Sequence, residues 1–193
     1  MFNNFMEKII NNPYTQKREK YIVEQLEKYI ENNKKVLDIG CGSGIVSSKL
    51  KKRKNLNLIG VDKHKKTDLI PFMEMDGKKL LFKKNHFDYS LLADVLHHDK
   101  DIKNLLKEAS RVSKKVIIKD HFFETKLQYM VLSFMDFLCN INNIKSLKYN
   151  FLTLKEWKKL FKTLNLRIIE FDDSSKLNKF DIIKHVFFVV EKQ

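Results

Sequence analysis

The chain has 193 residues, 43% of them apolar, which is enough for a sizeable core in one domain over 1–193, and its two cysteines, Cys41 and Cys139, exclude a disulfide framework. No apolar run is long enough to span a bilayer, and the opening Met1–Lys8 segment lacks the charged-then-apolar order of a signal peptide, so the expectation is a reduced, cytoplasmic protein without a bound metal. The formal net charge of +14 would suit an anionic partner, but the lysines run in short pairs from Lys34-Lys35 to Lys158-Lys159 with no stretch that gathers them among aromatics, which points to a solvated basic surface rather than a specific nucleic-acid face.

In chain order, Phe2, Phe5, Met6, Ile9 and Ile10 stand at helical spacing before Pro13 and predict a short amphipathic helix over 1–13. A longer helix over 15–32 carries Ile22, Leu26, Tyr29 and Ile30 on one face. Val36, Leu37 and Ile39 suit a strand covered on both faces. A glycine turn, Gly40-Cys41-Gly42-Ser43-Gly44, leads into a helix over 45–53 and then a second strand over 57–62. Pro71 to Asp76 reads as a short third strand, 78–86 as a basic connector with room for one helical turn, and 87–93 as the fourth strand. Residues 100–112 place Ile102, Leu105, Leu106 and Ala109 inward on a helix, and 115–120 form the fifth strand. Strands alternating with helices imply parallel pairing in a doubly wound sheet.

Beyond the fifth strand the alternation stops. Residues 124–141 predict a mostly apolar helix, with Leu127, Met130, Val131, Phe134, Met135, Phe137 and Leu138, and a polar stretch follows over 140–150. Thr153-Leu154-Lys155-Glu156 has capping-box spacing and starts a helix whose apolar face is Trp157, Leu160, Phe161 and Leu164. Two strands close the chain, over 166–171 and 186–191.

The glycine turn is the stretch around which the rest is arranged. Its glycines permit close approaches that a Cβ would block, and the turn offers unpaired N–H groups at a helix N-terminus. Such a pattern also fits an ordinary tight strand–helix turn. Here the second strand ends in Asp62, 22 residues after Gly40, where a ribose-binding acid belongs in a nucleotide-binding βαβ unit. The chain has five glycines; three form the turn, Gly60 precedes Asp62 by two residues, and Gly77 follows Asp76. Their placement around one presumed ligand argues for a nucleotide-type site.

Val36 to Gly44 resembles the first motif of class I S-adenosylmethionine-dependent methyltransferases. Phe87 to His98 resembles the fourth-strand segment of the small-molecule branch that includes quinone-pathway enzymes, and Leu106 to Val112 resembles the helix after it. The resemblance covers residues 20–121 well and the rest loosely. It implies an α/β, doubly wound, Rossmann-like, mostly parallel seven-stranded sheet with an antiparallel last strand and a helical cover after the fifth strand. On that plan, N-terminal helices occupy 1–32, a cofactor core 33–121, a substrate cover 122–152, and the last helix and strand pair 153–193. The implied cofactor is S-adenosyl-L-methionine, with S-adenosyl-L-homocysteine as product. Asp62 would hold the ribose hydroxyls. Asp76 would bond the adenine amine, with Met75 and Gly77 lining the base and Lys63 bordering it. Asp38 and the loop backbone of Gly40, Cys41, Gly42 and Gly44 would order the methionine end, with Cys41 a small filler. Ala93 and Asp94 would face the sulfonium.

Candidate bases for the acceptor are His97, His98, Asp120 and His121, of which His98, His121 and Asp120 are favoured. Asp120 and His121 are neighbours on a strand, so at most one should enter the pocket. Ordinary strand-end capping would also explain these histidines, and His64, His86 and His185 have no supporting context. The Asn/Asp-Pro-Pro-Tyr/Phe turn of enzymes that methylate amino groups is absent, since Ala93-Asp94-Val95-Leu96 stands there. Ser113-Lys114-Lys115 replaces a Pro-Gly-Gly turn common in relatives and is expected to alter only a distal loop. The expected activity is methyl transfer to a small molecule, with an RNA methyltransferase and a non-catalytic cofactor binder as rivals.

Overall fold

The computed structural model describes residues 13–65, 67–139, 149–173 and 183–193. The helix expected over 1–13 therefore lies outside the described residues, apart from Pro13. That proline opens helix α1 (Pro13–Leu26), which starts two residues before the expected 15. Proline suits the first turn, where its missing N–H has no partner to lose. The helix ends at Leu26, short of the expected 32, although Ile30 beyond it is still buried.

Seven strands form one sheet: β1 (Lys35–Ile39), β2 (Asn57–Asp62), β3 (Phe72–Glu74), β4 (Phe87–Ala93), β5 (Ser113–Phe122), β6 (Leu166–Asp172) and β7 (Lys184–Lys192). Their order is β3-β2-β1-β4-β5-β7-β6. The first five pair in parallel, and β7 lies antiparallel between β5 and β6. After β3 the chain returns to the other side of β1, so strand order reverses between β1 and β4. Their carboxyl ends form the switch point where such sheets take ligands.

The central strands read as near-continuous apolar runs because helices cover both faces. One face packs Val36, Leu58, Leu91, Ile117, Phe187 and Val189 against α1 and against α2 (Ile45–Lys54). The other packs Leu37, Val61, Leu92, Val116, Ile118 and Phe188 against α3 (Ile102–Val112) and α5 (Leu154–Thr163). Helix α5 opens with the expected capping box: the Thr153 hydroxyl accepts from the Glu156 N–H, and Glu156 accepts from the Thr153 N–H at 2.8 Å. Asp101 caps α3 by accepting the Asn104 N–H at 3.0 Å.

Several boundaries differ from the sequence expectation. The connector over 78–86 holds no helical turn, and a 3₁₀ turn at Leu96–His98 was not foreseen. Ser113-Lys114-Lys115 is not a distal loop; it begins β5, with Ser113 opposite Phe87. The Ser113 hydroxyl donates to the Ala109 carbonyl at 2.7 Å, so it ends α3 and starts β5 without an intervening glycine. The helix after β5, α4, spans Lys126–Cys139. Among the described residues no helix is long and apolar enough to cross a membrane.

Candidate functional site

At the end of β1 the backbone turns sharply, with Gly40 at φ 74° and Gly42 at φ 50°. The Gly40 N–H donates to the Val61 carbonyl at 2.8 Å, which ties the turn to β2. A Cβ on Gly40 would sit 2.6 Å from Val95, so the turns after β1 and β4 touch there. Gly42 is the opposite case: a Cβ built on it meets nothing within 4 Å. Its backbone therefore borders open space, a cradle that a side chain would fill. The Gly42 N–H donates to Asp62 at 3.0 Å, and the other Asp62 oxygen accepts from the Lys63 N–H at 2.7 Å. The acid at the end of β2 thus stands on the rim of the turn.

Asp38 lies behind the turn, 5% exposed, and accepts a hydrogen bond from the Ser47 hydroxyl at 2.6 Å. Burial pushes its carboxyl up to about 7, against the opposing pull of Ser47. A cavity at the switch point is lined by Asp38, Gly40, Cys41, Gly42, Ala93 and Asp94, together with Arg18 and Ile22 of α1. Gly44 sits behind this lining as the N-cap of α2. Asp62, Lys63, Met75, Asp76 and Gly77 are not on the lining, although Asp62 reaches the turn through the Gly42 N–H. Met75 is 9% exposed and packs in the core, while exposed Asp76 accepts the N–H of Lys78 at 3.0 Å. These cradle features fit an adenosyl sulfonium ligand: an open backbone turn, an acid on its rim and a buried acid behind it.

The ends of β4 and β5 are built differently. Asp94, held at φ 57°, accepts from Arg18 Nη2 and from Lys119 Nζ, each at 2.5 Å. His121 Nε2 lies 3.2 Å from the same carboxylate. Burial alone would raise the Asp94 carboxyl, but Lys119, His121 and Arg18 hold it well below the ordinary carboxylate range. Lys119 is 0% exposed, and its ammonium is pulled down by burial against the support of Asp94. Burial and Lys119 also keep His121 well below its usual value. His185, opposite His121 in the β5–β7 pair, is lowered to about 3 by burial and by Lys119. The cluster gathers Arg18, Lys119 and His121 around one carboxylate.

Asp120 points to the other face of β5 and meets His97 Nδ1 at 2.5 Å. Burial works against a charged His97 ring, but Asp120 outweighs it and raises its pKa. His98 is lowered by burial and by His97. Ring centroids of His97 and His98 are 4.0 Å apart, and those of His97 and His121 are 5.7 Å apart. Phe151 stacks on His97 at 4.8 Å. Asp120 and His121 leave opposite faces of the strand as expected, yet both reach the His97 neighbourhood because the 3₁₀ turn wraps the end of β5.

Sequence reasoning missed Arg18, Lys119, Asp136 and His185. A lysine inside the apolar run Val116-Ile117-Ile118-Lys119 at the ligand end of a strand was a usable signal. Nothing local marked Arg18, whose partner is 76 residues away. Helix α4 also differs from expectation. Its Leu127, Met130 and Phe134 are exposed, while Asp136 is the residue that approaches the histidines.

The family described as Methyltransferase domain matches residues 14–170. The chain is 29% identical over 160 residues to the ubiquinone biosynthesis O-methyltransferase of Pelagibacter ubique (strain HTCC1062), covering 77% of this chain and 64% of that protein. It thus spans less than two thirds of that relative's length. Among solved structures, a protein of Pyrococcus horikoshii OT3 matches with a TM-score of 0.70 at 19% identity, over 95% of this chain and 93% of that one. A structure from Thermotoga maritima, described as an S-adenosylmethionine-dependent methyltransferase and possible histamine N-methyltransferase, matches with a TM-score of 0.67 at 18% identity, over 100% and 96%. At these identities the structural matches speak for the fold.

Proposed function

We propose a small-molecule acceptor for this chain, which belongs to the methyltransferase-domain family and is an S-adenosylmethionine-dependent methyltransferase. The cofactor supplies a methyl group on a sulfonium, and the protein supplies alignment for its in-line displacement. In this reading Gly40, Cys41, Gly42 and Gly44 shape the cradle, and Asp62 takes the ribose hydroxyls. Asp38 and the turn N–H groups order the methionine end, and the surplus positive charge of Arg18 and Lys119 over Asp94 suits its carboxylate. Ala93 and Asp94 border the sulfonium side, while Lys63, Met75, Asp76 and Gly77 take the adenine end.

The observation that carries the acceptor class is the enclosure of the histidine cluster by Phe151 and by Asp136 of α4. Residues 122–152, of which 140–148 lie outside the described residues, are read as the cover of the acceptor site. Such a roof suits a small molecule better than a nucleic-acid strand. The ubiquinone relative is named an O-methyltransferase, which supports an oxygen acceptor. His98, with 33% of its side chain exposed, is the imidazole able to meet that acceptor. His121 instead holds Asp94, and Asp120 orients His97, so both are positioning residues. The chain would act as one domain.

Incubation with S-adenosylmethionine labelled in its methyl group and a cell extract, with and without nuclease, tests this. Label is expected in a low-mass product whether or not nuclease is present. Label that stays macromolecular and becomes nuclease-sensitive would favour RNA, and absence of label together with cofactor binding would favour a non-catalytic binder.

A further inference from the structure

We propose that His97, His98 and Asp136 form a binding site for one divalent transition-metal ion of the zinc class. The sequence reading expected no metal, and the site appears only when three separate elements come together. His97 and His98 sit on the 3₁₀ turn after β4, Asp136 comes from α4, and Asp120 stands behind them on β5. The three ligand atoms all lie within 4.8 Å of one another. Asp136 Oδ1 is 3.5 Å from His98 Nε2 and 3.9 Å from His97 Nε2. Both separations exceed a hydrogen bond. Ligands about 2.1 Å from a tetrahedral zinc stand roughly 3.4 Å apart, so the Asp136 separations are within about 0.5 Å of that spacing and the widest separation, up to 4.8 Å, would close by about 1.4 Å through side-chain rotation.

The protonation pattern of His97 agrees. Its Nδ1 lies 2.5 Å from Asp120 Oδ1, so a proton held on Nδ1 by that carboxylate would leave Nε2, 3.9 Å from Asp136 Oδ1, as the ligating atom. A carboxylate behind a ligating imidazole fixes its tautomer and ring orientation in the usual manner of metal-bound histidines. Asp136 is also the sole charged side chain from Leu127 to Cys139 of α4, and it is the one that meets the imidazoles. Two histidines and one carboxylate leave at least one position open, the arrangement of catalytic rather than structural zinc. The partial exposure of His98 gives that position access. If the oxygen-acceptor reading above holds, the open position would take the acceptor oxygen; the metal site itself does not depend on that reading.

The test uses the untagged full chain, stripped with a chelator and titrated with Co²⁺, whose visible absorption reports coordination, and with Zn²⁺ by calorimetry. One equivalent of each ion is expected, with the site lost in His98→Ala and in Asp136→Asn. Asp120→Asn should weaken uptake by about 10- to 100-fold through the loosened His97 ring. S-adenosylhomocysteine is titrated into the same samples and should bind all variants alike, which shows that they fold. Failure of the wild type to take up either ion, or undiminished uptake in His98→Ala or Asp136→Asn, would overturn the metal site. Failure of S-adenosylhomocysteine to bind any sample would instead count against the methyltransferase reading.

Discussion

At the ends of β1 and β2 the ligand site is made of main chain: a turn of left-handed glycines, with Asp38 and Asp62 at its back and rim. At the ends of β4 and β5 it is made of polar and charged side chains, and Arg18, Asp94, Lys119, His121 and His97 come from three separate stretches of chain. The first half assembles locally and leaves space open. The second exists only when α1, β4, β5 and β7 have packed, and it buries charge to do so. Damage to the two halves should therefore read out differently: binding without stability in one, stability with binding in the other.

The largest expected effect breaks the first half. Gly42→Val should abolish measurable S-adenosylhomocysteine binding by calorimetry, because the added side chain projects into the open cradle. Its cost to folding should stay near that of one left-handed residue, about 1–2 kcal/mol. A variant that folds and binds like the parent would show that the space beside Gly42 is not the cofactor's.

The second half should fail in the other currency. Lys119→Met leaves the half-buried Asp94 carboxylate without its fully buried partner, and denaturant unfolding should show a loss of about 3 kcal/mol. Adding Asp94→Asn to that variant should restore most of the loss. If the double variant is as unstable as the single one, packing of the lysine stem and not its charge holds this region.

Asp62→Ala sharpens the comparison by removing a carboxylate from the rim alone. Cofactor affinity should fall by about 1–3 kcal/mol, with little change in unfolding midpoint. An unchanged affinity would remove Asp62 from the site.

The effect smallest at any one pH step is a slope. The folded pKa of Asp38, about 7, lies above its ordinary value of 3.8, so between these values the folded state keeps a proton that the unfolded state releases. The unfolded state binds fewer protons, and stability without cofactor should fall as pH rises from about 4 to 7, by on the order of 1 kcal/mol per pH unit. Asp38→Asn should flatten this trend in unfolding curves taken across that range. An unaltered slope in the variant would place the linkage elsewhere.

The first half was legible because its signals are local. The run Val36 to Ile39, the glycine turn and Asp62 at the next strand end each announce their conformation to a reader of adjacent residues. The capping box at Thr153 was legible for the same reason. Other left-handed positions were quieter, because this glycine-poor chain uses asparagine there: Asn33, Asn55, Asn85 and Asn165 all have positive φ. The 3₁₀ turn at Leu96–His98 follows from packing at the strand ends, which no local period reveals. Ser113 could not be seen as the start of β5, since it becomes one by capping α3 and pairing with Phe87. Arg18 and Asp136 looked like ordinary helix residues, and their partners lie across the fold. On α4, the surplus of apolar residues suggested contact with the acceptor site, but the exposure of Leu127, Met130 and Phe134 shows that much of it faces outward.

The division of labour between the halves is tested most directly in His98→Ala, by measuring S-adenosylhomocysteine affinity alongside methyl transfer to the low-mass product of the extract. Affinity should match the parent while transfer falls at least about a hundredfold, because the imidazole serves the acceptor and not the cofactor. Full transfer in this variant, or an affinity that falls in step with transfer, would contradict the separation of the cofactor cradle from an acceptor site at the histidines.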